Sequence, residues 1–270
     1  MTQHFRQLHH PGRPFILANA WDIGSARMYA ALGAKAIGTS SAAFAFTLGR
    51  ADMGNVTRDE MLAHAEDLVA ATKLPVSGDF ENGFGDDPDT VAETVKLAAE
   101  VGLAGISIED MRLPVADSYS FELAVERIKA AAAAARSLSS DFVLVARADG
   151  LMHNRYDLSE AIKRIQAYQS AGADCVYIPC LPDLESVKTV CQAVSIPVNV
   201  LAVGPMTKLS TLQLATAGVA RISLGSANIR EAQRVMHDTM IAILDNGDFS
   251  SLGKGLPSGL IDQLLEKGKK

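Results

Sequence analysis

Aromatic side chains, cysteine and basic charge are all scarce in this 270-residue chain, and each shortage narrows what it can be. Aromatics supply 6% of the residues and tryptophan occurs once, so the core must rest on aliphatic side chains and on alanine. Lys and Arg number 25 against 31 Asp and Glu, a net charge of −6, which gives no electrostatic case for nucleic acid. The three cysteines, Cys175, Cys180 and Cys191, are an odd set without zinc-type spacing, so reduced thiols in a cytoplasmic protein are expected. No stretch approaches a membrane span, and residues 1–12 lack the apolar core of a signal peptide. A glycine fingerprint after the first strand is also missing: Ala18-Asn19-Ala20-Trp21-Asp22 stands there, which argues against a dinucleotide-binding sheet.

What the chain has is one unit repeated. A helical run ends in glycine and a strand follows within two or three residues, at Gly33, Gly102, Gly172 and Gly218. Glycine there supplies the left-handed helix cap, and the short loop returns the chain into a parallel strand. Leu74-Pro75-Val76 and Ile196-Pro197-Val198 open two further strands, where proline needs no ladder donor. Strands are predicted at 15–20, 35–39, 76–80, 105–108, 142–146, 174–178, 198–202 and 221–224. Helices are predicted between them, at 58–71, 88–101, 121–137, 158–170 and 184–193 among others. Eight alternations predict an α/β fold, a (β/α)8 TIM barrel, over residues 1–245. Residues 246–270 read as a flexible tether and a C-terminal amphipathic helix at 256–265, which either caps the barrel or reaches another subunit.

In such barrels chemistry collects where strands end. The third strand runs into Asp79 and Glu81, whose spacing of two puts both carboxylates on one face, and Asn82-Gly83-Phe84-Gly85 then turns sharply. Converging carboxylates suit a hard divalent cation; the competing reading is a solvated acidic loop. The fourth strand ends at Glu109-Asp110, the fifth at Arg147 and Asp149, the second at Ser40-Ser41-Ala42, and Asn199 lies on the seventh. Arg147 paired with Glu109 or Asp149 as a structural clamp is the alternative to an anion site.

These stretches carry a resemblance. Ile37-Gly38-Thr39-Ser40-Ser41, the run Gly78 to Gly85, Ile108-Glu109-Asp110 and Val145-Ala146-Arg147-Ala148-Asp149 are similar to the phosphoenolpyruvate mutase/isocitrate lyase superfamily, over about residues 15–230. The resemblance implies Mg²⁺ (or Mn²⁺) held by Asp79, Glu81 and Glu109, often through waters. It implies that Ser40, Ser41, Ala42, Arg147 and Asn199 bind substrate and that Asp52 lies near the metal. It also implies a homo-oligomer, a dimer or tetramer that exchanges the terminal helix between subunits.

Departures narrow the assignment. Glu81 stands where the family usually has Asp. The Lys-(Lys/Arg)-Cys-Gly-His loop of the isocitrate and methylisocitrate lyases is absent, Met111 replaces a mutase lysine, and Pro179 replaces a histidine of the phosphonate enzymes. The expected activity is a Mg²⁺-dependent C–C lyase or decarboxylase acting on a small 2-oxo or 2-hydroxy dicarboxylate through a metal-stabilised enolate. Alternatives are P–C or C–O chemistry on a phosphonopyruvate-like compound and a barrel that binds a metabolite without turning it over. Residues 112–120 are expected to be a short loop over the site, with Tyr119 or Ser118 as candidate proton source; the alternative is that Tyr119 only packs at the start of the helix at 121–137.

Overall fold

The computed structural model describes residues 5–115 and 117–270; Met1–His4, in the stretch tested for a signal peptide, and Ala116, in the expected loop, lie outside the described residues. Eight parallel strands close into a barrel: β1 (Phe15–Asn19), β2 (Ala36–Gly38), β3 (Val76–Asp79), β4 (Gly105–Glu109), then β7 (Val143–Arg147), β8 (Cys175–Tyr177), β9 (Val198–Leu201) and β10 (Arg221–Ser223). Between β4 and β7 an antiparallel hairpin stands apart, β5 (Met111–Arg112) with β6 (Asp117–Ser118). This corrects the expectation of a plain loop over 112–120. Met111 is fully buried while Arg112 is exposed, and that alternation, with Pro114 in the turn, suits a short hairpin.

The helices are α1 (Ile23–Ala31), α2 (Ser41–Thr47), α3 (Arg58–Ala71), α4 (Pro88–Glu100), α5 (Phe121–Ser137), α6 (Leu158–Ala171), α7 (Leu184–Ala193), α8 (Thr211–Thr216), α9 (Ala227–Asn246) and α10 (Ser258–Lys267). The glycines that end the repeated units all take positive φ, from 89° at Gly102 to 106° at Gly172, so the short αβ returns are as expected. Gly38 is required for a different reason: a Cβ there would stand 2.8 Å from Asn19 Nδ2. Asn19 uses that space to donate to Thr39 O and to accept from the amides of Leu224 and Gly225, tying β1 to both flanking strands.

The bottom of the barrel is closed by the N-terminus, which the sequence reading did not anticipate. Phe5 and Leu8 pack with Phe15, Leu17, Val143 and Val145 in one buried cluster. Arg6 fastens this plug through Asp141 and Asp174, both at 2.6 Å. His9 lies edge-on to Phe5 and Phe15 and is pushed down to a pKa of about 3, first by burial and then by the charge of Arg221. The unfolded chain therefore takes up a proton below pH 6.5 that the folded chain refuses, so stability from this group is intact above 6.5 and lost progressively towards 3. By about pH 5 the loss should reach roughly 2 kcal/mol. Urea unfolding of His9→Gln at neutral and mildly acidic pH checks it: the variant should lose about that much less than the parent.

Of the two placements open to the C-terminal helix, α10 takes in this chain the one on its own barrel, packing on α1. Gly268 comes so near the backbone of Arg27 that a Cβ would meet its carbonyl oxygen at 1.8 Å. The helix that stands clear is α9, where Ile229 is its one buried residue and Met236, Met240 and Leu244 form an exposed stripe at intervals of four.

Candidate active site

Side chains from the C-terminal ends of the strands line one cavity of about 870 Å³, including its open mouth. Asp79, at the end of β3, is the centre of its acidic wall. Its Oδ2 accepts from the amide and hydroxyl of Ser41, at 3.0 and 2.9 Å, and its Oδ1 accepts from Arg147 Nη1 at 2.7 Å. Its own amide donates to Thr39 Oγ1, so both the backbone and the carboxylate are fixed.

Arg147 comes from β7 and lies among three carboxylates. Nε and Nη2 make a two-pronged contact with Asp149, and Nη2 also stands 3.2 Å from Glu109. Burial works against its charge, but Asp149, Asp79 and Glu109 outweigh it and raise its pKa well above the ordinary value. The guanidinium is thus committed to the protein: it orients the acids around it and offers no free fork. Three carboxylates against one guanidinium still leave excess negative charge in a buried place. Burial, then the charge of Asp149, push the Glu109 carboxyl well above the usual range. Glu81 has a backbone φ of 46°, accepts from the amide of Gly54, and is pushed up to about 7 by burial. Asp52, on the same loop as Gly54, is also raised by burial.

Among the described residues no three His, Cys, Asp or Glu side chains stand close enough to hold a metal directly. The donor set nevertheless suits one kind of ion. Mg²⁺ keeps most of its waters and takes only one or two carboxylates, unlike ions that need an all-protein cage. Asp79, Glu81 and Glu109 are near one another, the two glutamates buried and Asp79 half-buried, and short of positive charge, which a hydrated divalent cation would supply.

The expected site residues divide into two groups. Ser40, Ser41, Ala42, Asp52, Asp79, Glu81, Glu109 and Arg147 all line the cavity. Ser40 is the N-cap of α2 and Ser41 is bound to Asp79, so their polar atoms hold the wall together. Tyr119 and Asn199 are not in the cavity wall. The Tyr119 hydroxyl donates to Asp86 at 2.7 Å, accepts from Asn82 at 2.9 Å, and its ring lies 4.1 Å below the Arg127 guanidinium. Burial pushes that hydroxyl up to about 12. Asn199 is completely buried and donates to Ser223. Sequence reasoning missed Met152 and His153, on the loop after β7, and Arg221 and Ser223 on β10, all of which line the cavity. The period of two along β10 was the available signal, since it aims a charged residue into the barrel.

Comparison with known proteins identifies the family. The family model for phosphoenolpyruvate phosphomutase matches residues 5–244. A structure from Burkholderia cenocepacia J2315, provisionally described as a lyase/mutase, superposes with a TM-score of 0.91 at 44% identity, covering 97% of this chain and 94% of that one. The 2-methylisocitrate lyase of Escherichia coli (strain K12) is 31% identical over 233 residues, 79% of this chain and 77% of the lyase. The oxaloacetate decarboxylase of Paraburkholderia xenovorans (strain LB400) is 28% identical over 260 residues, 93% of this chain and 83% of that enzyme.

Proposed function

The chain belongs to the phosphoenolpyruvate phosphomutase family, whose relatives include lyases and mutases, and from that premise we propose that it is a Mg²⁺-dependent carbon–carbon lyase or decarboxylase acting on a small 2-oxo or 2-hydroxy dicarboxylate. The observation that carries this reading is the wall of acids at the barrel mouth, Asp79, Glu81 and Glu109, with one guanidinium among them that cannot neutralise them all. The names of the relatives support it, because a methylisocitrate lyase and an oxaloacetate decarboxylase both break a bond next to a 2-oxo or 2-hydroxy acid unit.

Asp79, Glu81 and Glu109 would hold the cation, which would disperse the negative charge left on the 2-oxo acid fragment when the bond breaks. The protein's own part is positioning. Arg147 and Ser41 fix Asp79, the amide of Gly54 fixes Glu81, and Leu113 on the hairpin and Met152 add apolar surface to the same cavity. The test is a panel of 2-oxo and 2-hydroxy acids assayed with and without Mg²⁺. Metal-dependent release of CO₂ or a carbonyl product supports the reading, phosphate release from phosphonopyruvate would replace it with mutase or hydrolase chemistry, and no turnover would leave a metabolite-binding barrel.

We also propose a homo-oligomer built on the open face of α9. Met236, Met240 and Leu244 expose an apolar stripe with Phe249 and Leu252 beyond it, and a second copy of the chain would cover it. Light scattering should give a dimer or tetramer for the parent chain, and Met236→Lys with Met240→Lys should shift it to monomer; a monomeric parent sinks the idea. A cytoplasmic location fits the cysteines, which are all free. Among the described residues no helix is long and apolar enough to cross a membrane.

A further inference from the structure

The wall opposite the acids holds a cation that the metal reading leaves unexplained. Arg221, the first residue of β10, lines the cavity yet is only 4% exposed. Among the described residues its Nε and Nη1 have no hydrogen-bond partner. The carboxylate whose field reaches it, Asp79, is already bound to Arg147 and Ser41. Two further buried polar atoms lack partners, the Oδ1 of Asn199, which stands opposite Arg221 in the strand register, and the hydroxyl of Ser77. A buried guanidinium without an anion is strongly unfavourable, and the unpaired Oδ1 of Asn199 beside it adds to the cost. Burial does depress its pKa, but a guanidinium keeps its proton at any ordinary pH, so neutralising itself is not open to it.

We propose that Arg221 receives the second carboxylate of the substrate, at the end away from the 2-oxo or 2-hydroxy group, and so makes the site selective for dicarboxylates. This rests on the reading that the acidic wall handles the 2-oxo end. A carboxylate suits the position better than a phosphonate. It brings a single negative charge to a single guanidinium, whereas a dianion would leave uncompensated charge within the field of Asp79. The Nε and Nη1 of Arg221 would give that carboxylate two donors and one full charge.

The test uses two acids that share one end. Malate and 2-hydroxybutyrate both carry a 2-hydroxy carboxylate, but the second has a methyl group where malate has its far carboxylate. Calorimetric titration of the parent, with and without Mg²⁺, should show malate bound at least about tenfold more tightly. Arg221→Met should remove that preference, Arg221→Lys should keep part of it, and oxalate, which probes only the metal end, should bind all three proteins alike. Equal affinities in the parent, or a preference that survives in a folded Arg221→Met, overturns the proposal. If Arg221→Met does not fold, the parent comparison and Arg221→Lys decide. Failure of oxalate to bind with Mg²⁺ would instead count against the metal site, because the malate preference is read without metal as well.

Discussion

Replacing Asp79 with asparagine should lower turnover of the panel substrate at least about a thousandfold, a loss of roughly 4 kcal/mol of transition-state stabilisation. The carboxylate is the one acid of the wall held on both oxygens, by the amide and hydroxyl of Ser41 on one and by Arg147 on the other. An amide in its place would turn an NH₂ group towards one of these donors and remove the negative charge that a cation needs. Two losses thus fall on one position: the charge, and the geometry of the acids that Arg147 organises. Titration with Mn²⁺ followed by electron paramagnetic resonance should show weakened binding in the same variant. Thermal melts provide the control, because Arg147 keeps Asp149 and Glu109 and the barrel should remain folded. Turnover within about tenfold of the parent, with metal still bound, would remove Asp79 from the centre of the site.

The barrel was legible because its signals are local. A glycine past four of the helices, a proline opening two further strands and an apolar run after each need no knowledge of the rest of the chain, and three predicted helices, 58–71, 121–137 and 184–193, have the observed bounds. The acidic wall was legible for the same reason, since strand ends in a barrel all face one mouth. What escaped depends on direction and on distant partners. Glu109 and Asp110 are neighbours, yet alternation along the chain turns one into the cavity and the other into the helix layer. Tyr119 looked like a hydroxyl over the site, but its orientation is set by Arg127, Asn82 and Asp86, which come from other loops and helices. The N-terminal plug was invisible because its partners, Asp141 and Asp174, are more than a hundred residues away in sequence. Arg221 was passed over because site residues were sought where strands end, and it opens its strand instead.

The largest loss of stability should follow Asp110→Ala. This side chain is 3% exposed and accepts four hydrogen bonds: Oδ1 from the amide of Asp149 at 2.8 Å, and Oδ2 from Tyr156 at 2.7 Å, Tyr168 at 2.9 Å and Arg164 at 3.1 Å. Its backbone carbonyl accepts from the amide of Tyr119, so the hairpin's exit is tied to the same point. One carboxylate therefore joins the end of β4, the loop that carries Asp149, and the inner face of α6. Alanine would leave the Arg164 guanidinium buried with only the half-buried Glu160 as a charged partner, and would strand two tyrosine hydroxyls. Removing one member of a buried, hydrogen-bonded ion pair costs roughly 3–5 kcal/mol, mostly because the remaining charge is uncompensated. Urea unfolding should report that loss, while the exposed hairpin change Asp117→Ala should stay within about 0.5 kcal/mol. The double variant Asp110→Asn, Arg164→Met should recover part of it, since neither residue then leaves a buried charge alone. Activity should suffer as well, because the amide of Asp149 loses its anchor and Asp149 is what aims Arg147 at Asp79. A stability change under about 1 kcal/mol for Asp110→Ala would mean that water fills the gap and that the network is not the fastening described.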